Sequence, residues 1–385
     1  MIEKASNRGG VILGSSARYP DILGALVYGA SMSETMQHPP LISTEIPGFE
    51  KTRAQIKSCP EDFLVNELPR ERRSDEGPQI RFRVEKRGLT TEEVLFRIAQ
   101  ILGIDKEAIG CAGLKDKQAV TTQYLSVPRA HASSLSGLAE EGFKVLEVCG
   151  HGPKLKRGEI EGNSFSILLR GVDPSAQQGV CDALSYLESH GVPNAYGAQR
   201  FGHQWSTWEM GKSLLEKGEE ALANLPRQQK RFMRRLALNA VQSSLFNAWL
   251  IDRQADNLLQ TLIHGDVIWV ERLGTAQLVL DPEAEQKRLE AGKVSLTGPM
   301  FGIKMRAAVG KASPREKAIL AKSGFTLEQF AAFSKVAPGS RRPALIYPTQ
   351  VSSEIEAEGL RVAFTLPSGA YATVVLDALV QESLG

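Results

Sequence analysis

The stretch Gly110-Cys-Ala-Gly-Leu-Lys-Asp-Lys-Gln-Ala-Val-Thr-Thr-Gln123 sets one carboxylate, Asp116, between two lysines. Small residues precede it and the polar side chains Thr121, Thr122 and Gln123 follow it. An ionised carboxylate in such a place can form a transient covalent adduct and needs no cofactor to do so. Burial disfavours the ionised form, so a nearby cation has to oppose it. Lys115 and Lys117 are sequence neighbours and, on an extended backbone, point away from Asp116. That directs them toward an external anion such as phosphate. A second constellation is Asn194-Ala-Tyr-Gly-Ala-Gln-Arg-Phe-Gly202. Asn194 brings both a donor and an acceptor. Gly197 and Gly202 permit unusual backbone angles around Arg200. Taken one at a time these are weak signals: charged residues flank turns everywhere, and N-x-Y-G is a common turn composition.

The fourteen-residue string as a whole is more specific than K-D-K, and it resembles the catalytic motif of the TruD family of tRNA pseudouridine synthases. The string Lys57-Ser-Cys-Pro-Glu-Asp-Phe63 looks like that family's first motif, and Asn194–Gly202 is similar to a further one. Other family-like strings follow in order: Gly158-Glu-Ile-Glu-Gly-Asn-Ser-Phe165, Ser243-Ser-Leu-Phe-Asn247, Gly298-Pro-Met-Phe-Gly302, Arg341-Arg-Pro343 and Leu366-Pro-Ser-Gly369. We read most of these as fold-specifying turns and core helix contacts. The resemblance covers most of the chain from about Lys57 and omits the first fifty residues.

The resemblance implies an α+β fold: a catalytic domain with a mixed or antiparallel sheet and a V-shaped cleft, interrupted by an α/β insertion. The expected division is an N-terminal extension over 1–50 that is disordered, a catalytic domain over 51–214 and 346–385, and an insertion over 215–345. It also implies that uridine in tRNA is isomerised to pseudouridine, at position 13 of the D arm, with Asp116 as nucleophile. Lys57 is the expected cation beside Asp116. Phe63 and Tyr371 are the expected aromatic contacts of the base, Tyr371 standing where a phenylalanine is common. Asn194 is expected to read the uracil edge, Tyr196 to add a ring, and Arg200 to bind phosphate or orient the pocket. No cofactor and no metal are called for. The expected partner is tRNA, with no membrane and no obligate protein partner, and the protein is expected to act as a monomer in the cytoplasm.

Bulk properties agree with such a protein. A chain of 385 residues is too long for one simple core. With 42% hydrophobic and 23% charged residues it reads as ordinary globular protein. The net charge of +2 supplies no global field, so any RNA surface must come from local clustering of the 46 basic residues. Two clusters stand out: Lys154, Lys156 and Arg157 in a glycine-flanked loop, and Arg227, Lys230, Arg231, Arg234 and Arg235 at one helix start. Cations at a helix start oppose its dipole, at about 0.3–1 kcal/mol each. Four separated cysteines and six scattered histidines form no zinc or disulfide framework. No apolar run approaches the roughly 20 residues of a membrane span.

The elements that must position these residues are partly legible. Ile80–Glu85 alternates as a half-buried strand does. Thr90 caps a helix with Val94, Leu95, Ile98, Ile101 and Leu102 on its buried face, and Gly103 ends it. Strand signals recur at Gln123–Val127, Lys144–Val148 and Ser164–Leu169, and Ala176–His190 reads as helix. Gln228–Arg253 is a long helix, Thr326–Val336 another, and Leu360–Leu366 and Tyr371–Leu376 read as strands. Residues 1–50 read as loosely organised, with Met32 or Met36 a candidate start. Gly211-Lys212-Ser213 ends like a phosphate loop but has Ser206 where the first glycine belongs, which argues against nucleotide hydrolysis. Two rival readings stand: a non-catalytic RNA-binding protein on the same fold, and a hydrolase of small molecules that uses Asp116.

Overall fold

In the computed structural model of the chain, residues 36–70 and 76–382 are described. The alternation around Ile80 becomes the strand Gln79–Arg87. Its inward face buries Ile80, Phe82 and Val84 and, at the same spacing, Lys86. This strand belongs to a nine-stranded mixed sheet. In spatial order the strands are Thr349–Glu356, Gly359–Pro367, Ile160–Arg170, Phe63–Pro69, Val120–Pro128, Gln79–Arg87, Phe143–Gly152 and Ala139–Glu140, and the ninth, Gly110–Cys111, pairs with Val120–Pro128. Phe63–Pro69 runs parallel to Val120–Pro128, and the other pairs are antiparallel.

The helix Thr91–Leu102 starts at Thr90 with a reciprocal capping box to Glu93 and ends at Gly103, whose φ of 64° suits glycine. Its buried residues include Val94, Leu95, Ile98 and Ala99, whereas Ile101, expected inside, is 44% exposed. At 3.6 residues per turn, Ile101 falls at the margin of the stripe through Ile98 and Leu102 nearer its centre. A four-stranded antiparallel sheet lies later in the chain, in the order Thr275–Leu278, Val267–Val270, Val294–Met300, Ser340–Pro343.

The helix Arg227–Ala255 is the longest element among the described residues, and from Ala237 onward it is buried on most sides. One core cluster runs from Val65 and Phe364 through Leu245 and Trp249 to Leu296 and Phe330, so it joins residues of both sheets. Gly211 lies inside the helix Ser206–Lys217, not in a loop; a Cβ there would sit 2.3 Å from the Ala237 carbonyl. The glycine therefore serves a close helix crossing, and Lys212 covers the Trp208 ring.

Three expectations need correction. Tyr371–Leu376 is not a strand: Tyr371 is the N-cap of the helix Ala372–Leu379. That helix buries Ala372, Val374, Val375, Leu376, Ala378 and Leu379, so no apolar stripe shows in its sequence, and a short apolar run does not reveal its period. Nor is the end of the first fifty residues loose. Ile46 is buried, Met36, Ile42 and Phe49 pack on the core, and the Pro40 carbonyl accepts a hydrogen bond from Asn247 Nδ2 at 2.9 Å. Residues 1–35, including Met32, lie outside the described residues. The helix expected over Thr326–Val336 is confined to Leu327–Ala331, with turns after it.

Candidate active site

The chain from Ala112 to Lys117 has no regular structure, yet it is tied down along its length. A Cβ on Gly110 would strike Ser126 Oγ at 2.5 Å and the Leu155 main chain at 2.7 Å, so only glycine fits at its root. The Ala112 carbonyl accepts from Gly158 N at 2.8 Å. Lys115 N donates to Thr91 Oγ1 at 2.9 Å, and Thr91 in turn donates to Gln123 Oε1. Lys86 Nζ donates to the Asp116 carbonyl at 2.6 Å and to the Leu89 carbonyl at 2.7 Å.

Asp116 itself projects outward, its side chain 60% exposed. Lys57 Nζ stands 3.5 Å from its Oδ2 and 4.1 Å from the centre of the Phe63 ring. Lys57 holds a φ of 58°, a left-handed conformation that costs a non-glycine residue on the order of 1 kcal/mol. Lys57, Phe63 and Asp116 thus form one group. Phe63 begins the strand Phe63–Pro69, is 1% exposed, and meets Phe165 edge-on at 6.2 Å. It closes the floor beneath Lys57.

Of the two lysines flanking Asp116, Lys117 stays 57% exposed, whereas Lys115 is not poised for phosphate. Lys115 is buried, with Nζ 2.8 Å from Glu67 Oε2 and donating to Asn163 Oδ1. Glu67 Oε1 accepts from Tyr124 N, and a carboxylate inside the sheet has to find its cation there. Lys117 pairs with Glu93 at 3.4 Å. Thr121, Thr122 and Gln123 are likewise turned into the protein.

Asn194, Tyr196, Arg200 and Tyr371 form a second group. Tyr371 is 42% exposed, and its ring centre lies 6.0 Å from that of the buried Tyr196. Arg200 sits 5.2 Å from the Tyr196 ring and donates from Nε to Ser243 Oγ. Asn194 is buried, its Nδ2 donating to the Pro343 carbonyl at 3.1 Å and its Oδ1 accepting from Arg342 Nη2. The acceptor end of this amide is therefore spent inside the protein.

Two residues organise this group without having been singled out from the sequence. Arg342 donates from Nε to the Asn194 carbonyl at 3.0 Å and from Nη2 to the Gly369 carbonyl at 3.2 Å, and covers the Tyr196 ring at 4.3 Å. Asn247 grips the Tyr196 main chain on both sides, at 2.9 and 2.8 Å. Both stand in strings read only as fold-specifying. Asn163 relates the two groups: it holds Lys115, and in the strand register it faces Leu366, five residues before Tyr371. The basic loop is adjacent as well, since Gly158 bonds Ala112 and Arg157 pairs with Glu92 at 3.3 Å.

The site thus comprises an exposed carboxylate paired with a lysine and, on a separate segment, a half-exposed aromatic ring. The family model of tRNA pseudouridine synthase D (TruD) matches residues 43–225 and 216–379. A tRNA pseudouridine synthase D of Anaeromyxobacter sp. is 40% identical over 346 residues, 90% of this chain and 97% of the relative. A Thermus thermophilus protein of that name is 35% identical and covers 89% and 92% of the two chains. The crystal structure of a Methanosarcina mazei protein described as a putative tRNA pseudouridine synthase D superposes with a TM-score of 0.70 over 89% of this chain and 96% of that one, at 22% identity, which speaks for the fold. The chain belongs to the TruD family of tRNA pseudouridine synthases, isomerases of uridine in tRNA. No helix among the described residues is long and apolar enough to cross a membrane.

Proposed function

We propose that this protein converts uridine 13 in the D arm of tRNA to pseudouridine, with Asp116 as the nucleophile. The observation that carries the reading is the ion pair of Asp116 with Lys57 on an outward-facing carboxylate, within the residues that the family model covers. The reaction breaks the bond from N1 of uracil to C1′ of ribose and makes one from C5 to C1′; the C5 hydrogen leaves as a proton and N1 takes one up. A carboxylate oxygen holds the transient adduct between these events.

The neighbouring side chains take the roles the geometry allows. The target nucleotide is extruded at a cost of a few kcal/mol. Tyr371 offers its open face to the base, with Tyr196 behind it; stacking of this kind contributes about 1–3 kcal/mol. Asn194 keeps one amide proton for a uracil carbonyl. Lys57 pairs with Asp116 and lies over Phe63, the further ring we assign to the base. Arg200, with Lys154, Lys156 and Arg157, meets the backbone. In our reading residues 51–214 and 346–385 form the catalytic unit and 215–345 the insertion, and the protein works as a monomer in the cytoplasm.

Asp116→Asn tests this. It is expected to bind tRNA as the unchanged protein does and to release no tritium from tRNA labelled at uridine C5. Pseudouridine made by pure Asp116→Asn refutes the nucleophile. Tritium release from a site other than 13 refutes the position alone.

A further inference from the structure

We propose that Lys86 is a positioning residue for the reaction at Asp116, its buried ammonium fixing the main chain of the nucleophile and placing a positive charge beside it. The inference rests on the reading of Asp116 as nucleophile and extends it to a residue that does not touch substrate.

Lysine is almost never fully buried without a paired carboxylate. Lys86 is 0% exposed, and among the described residues no carboxylate forms an ion pair with it. Its partners are two main-chain carbonyls, those of Asp116 and Leu89. It occupies the inward face of the strand Gln79–Arg87, where a methionine would satisfy packing and leave no polar group to desolvate. An ammonium put there instead costs free energy, and what it holds is the backbone of the one residue whose carboxylate must be aimed within a fraction of an ångström.

The charges facing Lys86 come from two segments, the loop that carries Lys115 and Asp116 and the helix Thr91–Leu102 that carries Glu93. Burial pulls its pKa down to about 8; Asp116 opposes that, Lys115 adds to it, and Glu93 opposes it. The Asp116 charge therefore favours the ammonium form of Lys86. Above the Lys86 pKa a neutral amine still has two hydrogens for the two carbonyls, but the positive neighbour of Asp116 is gone. A residue that only fills space would make no such distinction.

The test is single-turnover tritium release from uridine-labelled tRNA by Lys86→Met and Lys86→Gln between pH 6 and 9.5, with tRNA affinity and circular dichroism measured alongside. Lys86→Met is expected to lose about a hundredfold in rate, some 2.7 kcal/mol, while its tRNA Kd stays within twofold and its spectrum stays native. The unchanged protein should lose rate on the alkaline side through an ionisation near pH 8 that is missing from the residual rate of Lys86→Met. A folded Lys86→Met within threefold of the unchanged rate overturns the proposal, and so does a rate loss matched by an equal loss of affinity. If Lys86→Met does not fold, Lys86→Gln and the pH profile of the unchanged protein decide, and a flat profile to pH 9.5 overturns it. Asp116→Asn measured in parallel separates the two ideas: an active Asp116→Asn sinks the nucleophile, whereas an inactive one beside a fully active Lys86→Met sinks this inference only.

Discussion

Lys115 and Glu67 meet at 2.8 Å with their side chains only 5% and 1% exposed, one residue ahead of the proposed nucleophile. Removing one partner of such a pair leaves a buried, uncompensated charge, which costs about 3–5 kcal/mol. Lys115→Met should lower the urea midpoint accordingly, and Lys115→Met with Glu67→Leu should recover most of the loss. Stability unchanged in Lys115→Met would show that the pair contributes nothing.

The basic loop gives a prediction in salt dependence. Lys154, Lys156 and Arg157 are exposed, and the ion pair of Arg157 with Glu92 is a surface pair of little worth. Changing all three to alanine should weaken tRNA binding and reduce the slope of log K against log salt by about 2–3. Titration of labelled tRNA at several salt concentrations reads both, and an unchanged slope would place the RNA elsewhere.

Tyr371 should tolerate loss of its hydroxyl and not of its ring. We expect Tyr371→Phe to stay within about threefold of the unchanged rate, and Tyr371→Ala to fall about 10- to 100-fold, as loss of a 1–3 kcal/mol stack requires. Equal damage in both variants would assign the role to the hydroxyl.

Asp62 gives a pH prediction. It lies at the turn before Phe63, almost fully buried, and accepts from Arg170 Nε and Nη2 at 2.8 and 2.7 Å and from Cys59 N at 3.1 Å. The Arg170 guanidinium foremost, and then the Cys59 contacts, hold its carboxyl below the ordinary value against the opposing effect of burial. A carboxyl depressed on folding stabilises fully above its unfolded pKa, about 3.9, and loses that contribution as pH falls through the folded value. The stability gap between the unchanged protein and Asp62→Asn should therefore be full at pH 6 and shrink steadily below pH 4. A gap independent of pH would mean that the Arg170 contact is not what holds this carboxyl.

How much of this is legible in the sequence differs by the range of the interaction. Thr90, Glu93 and Gly103 announce their helix because capping is decided within a few residues of each end. Lys57 beside Asp116, across 59 positions, is legible through the resemblance of its string to the family's first motif. The roles of Lys86, Arg342 and Asn247 are not legible, because each acts on a carbonyl or ring far along the chain, and a lysine, arginine or asparagine in isolation does not declare its partner. Lys115 misleads for the same reason: in sequence it is a charged neighbour of Asp116, and its carboxylate lies on another strand. The helix Ala372–Leu379 reads as a strand because burial on nearly every side erases the periodicity that identifies a helix.

The pairing of the short strand Thr52–Ala54 with Val380–Glu382 runs parallel and joins distant stretches of chain. Parallel partners cannot be linked by a hairpin, so everything between them must be placed before they zip together. Lys57 follows that first strand by three residues and Tyr371 precedes the last by nine. Residues 52–54 accordingly have no partner in this pairing until residues 380–382 have been synthesised, which makes it a late seam in the assembly of the fold.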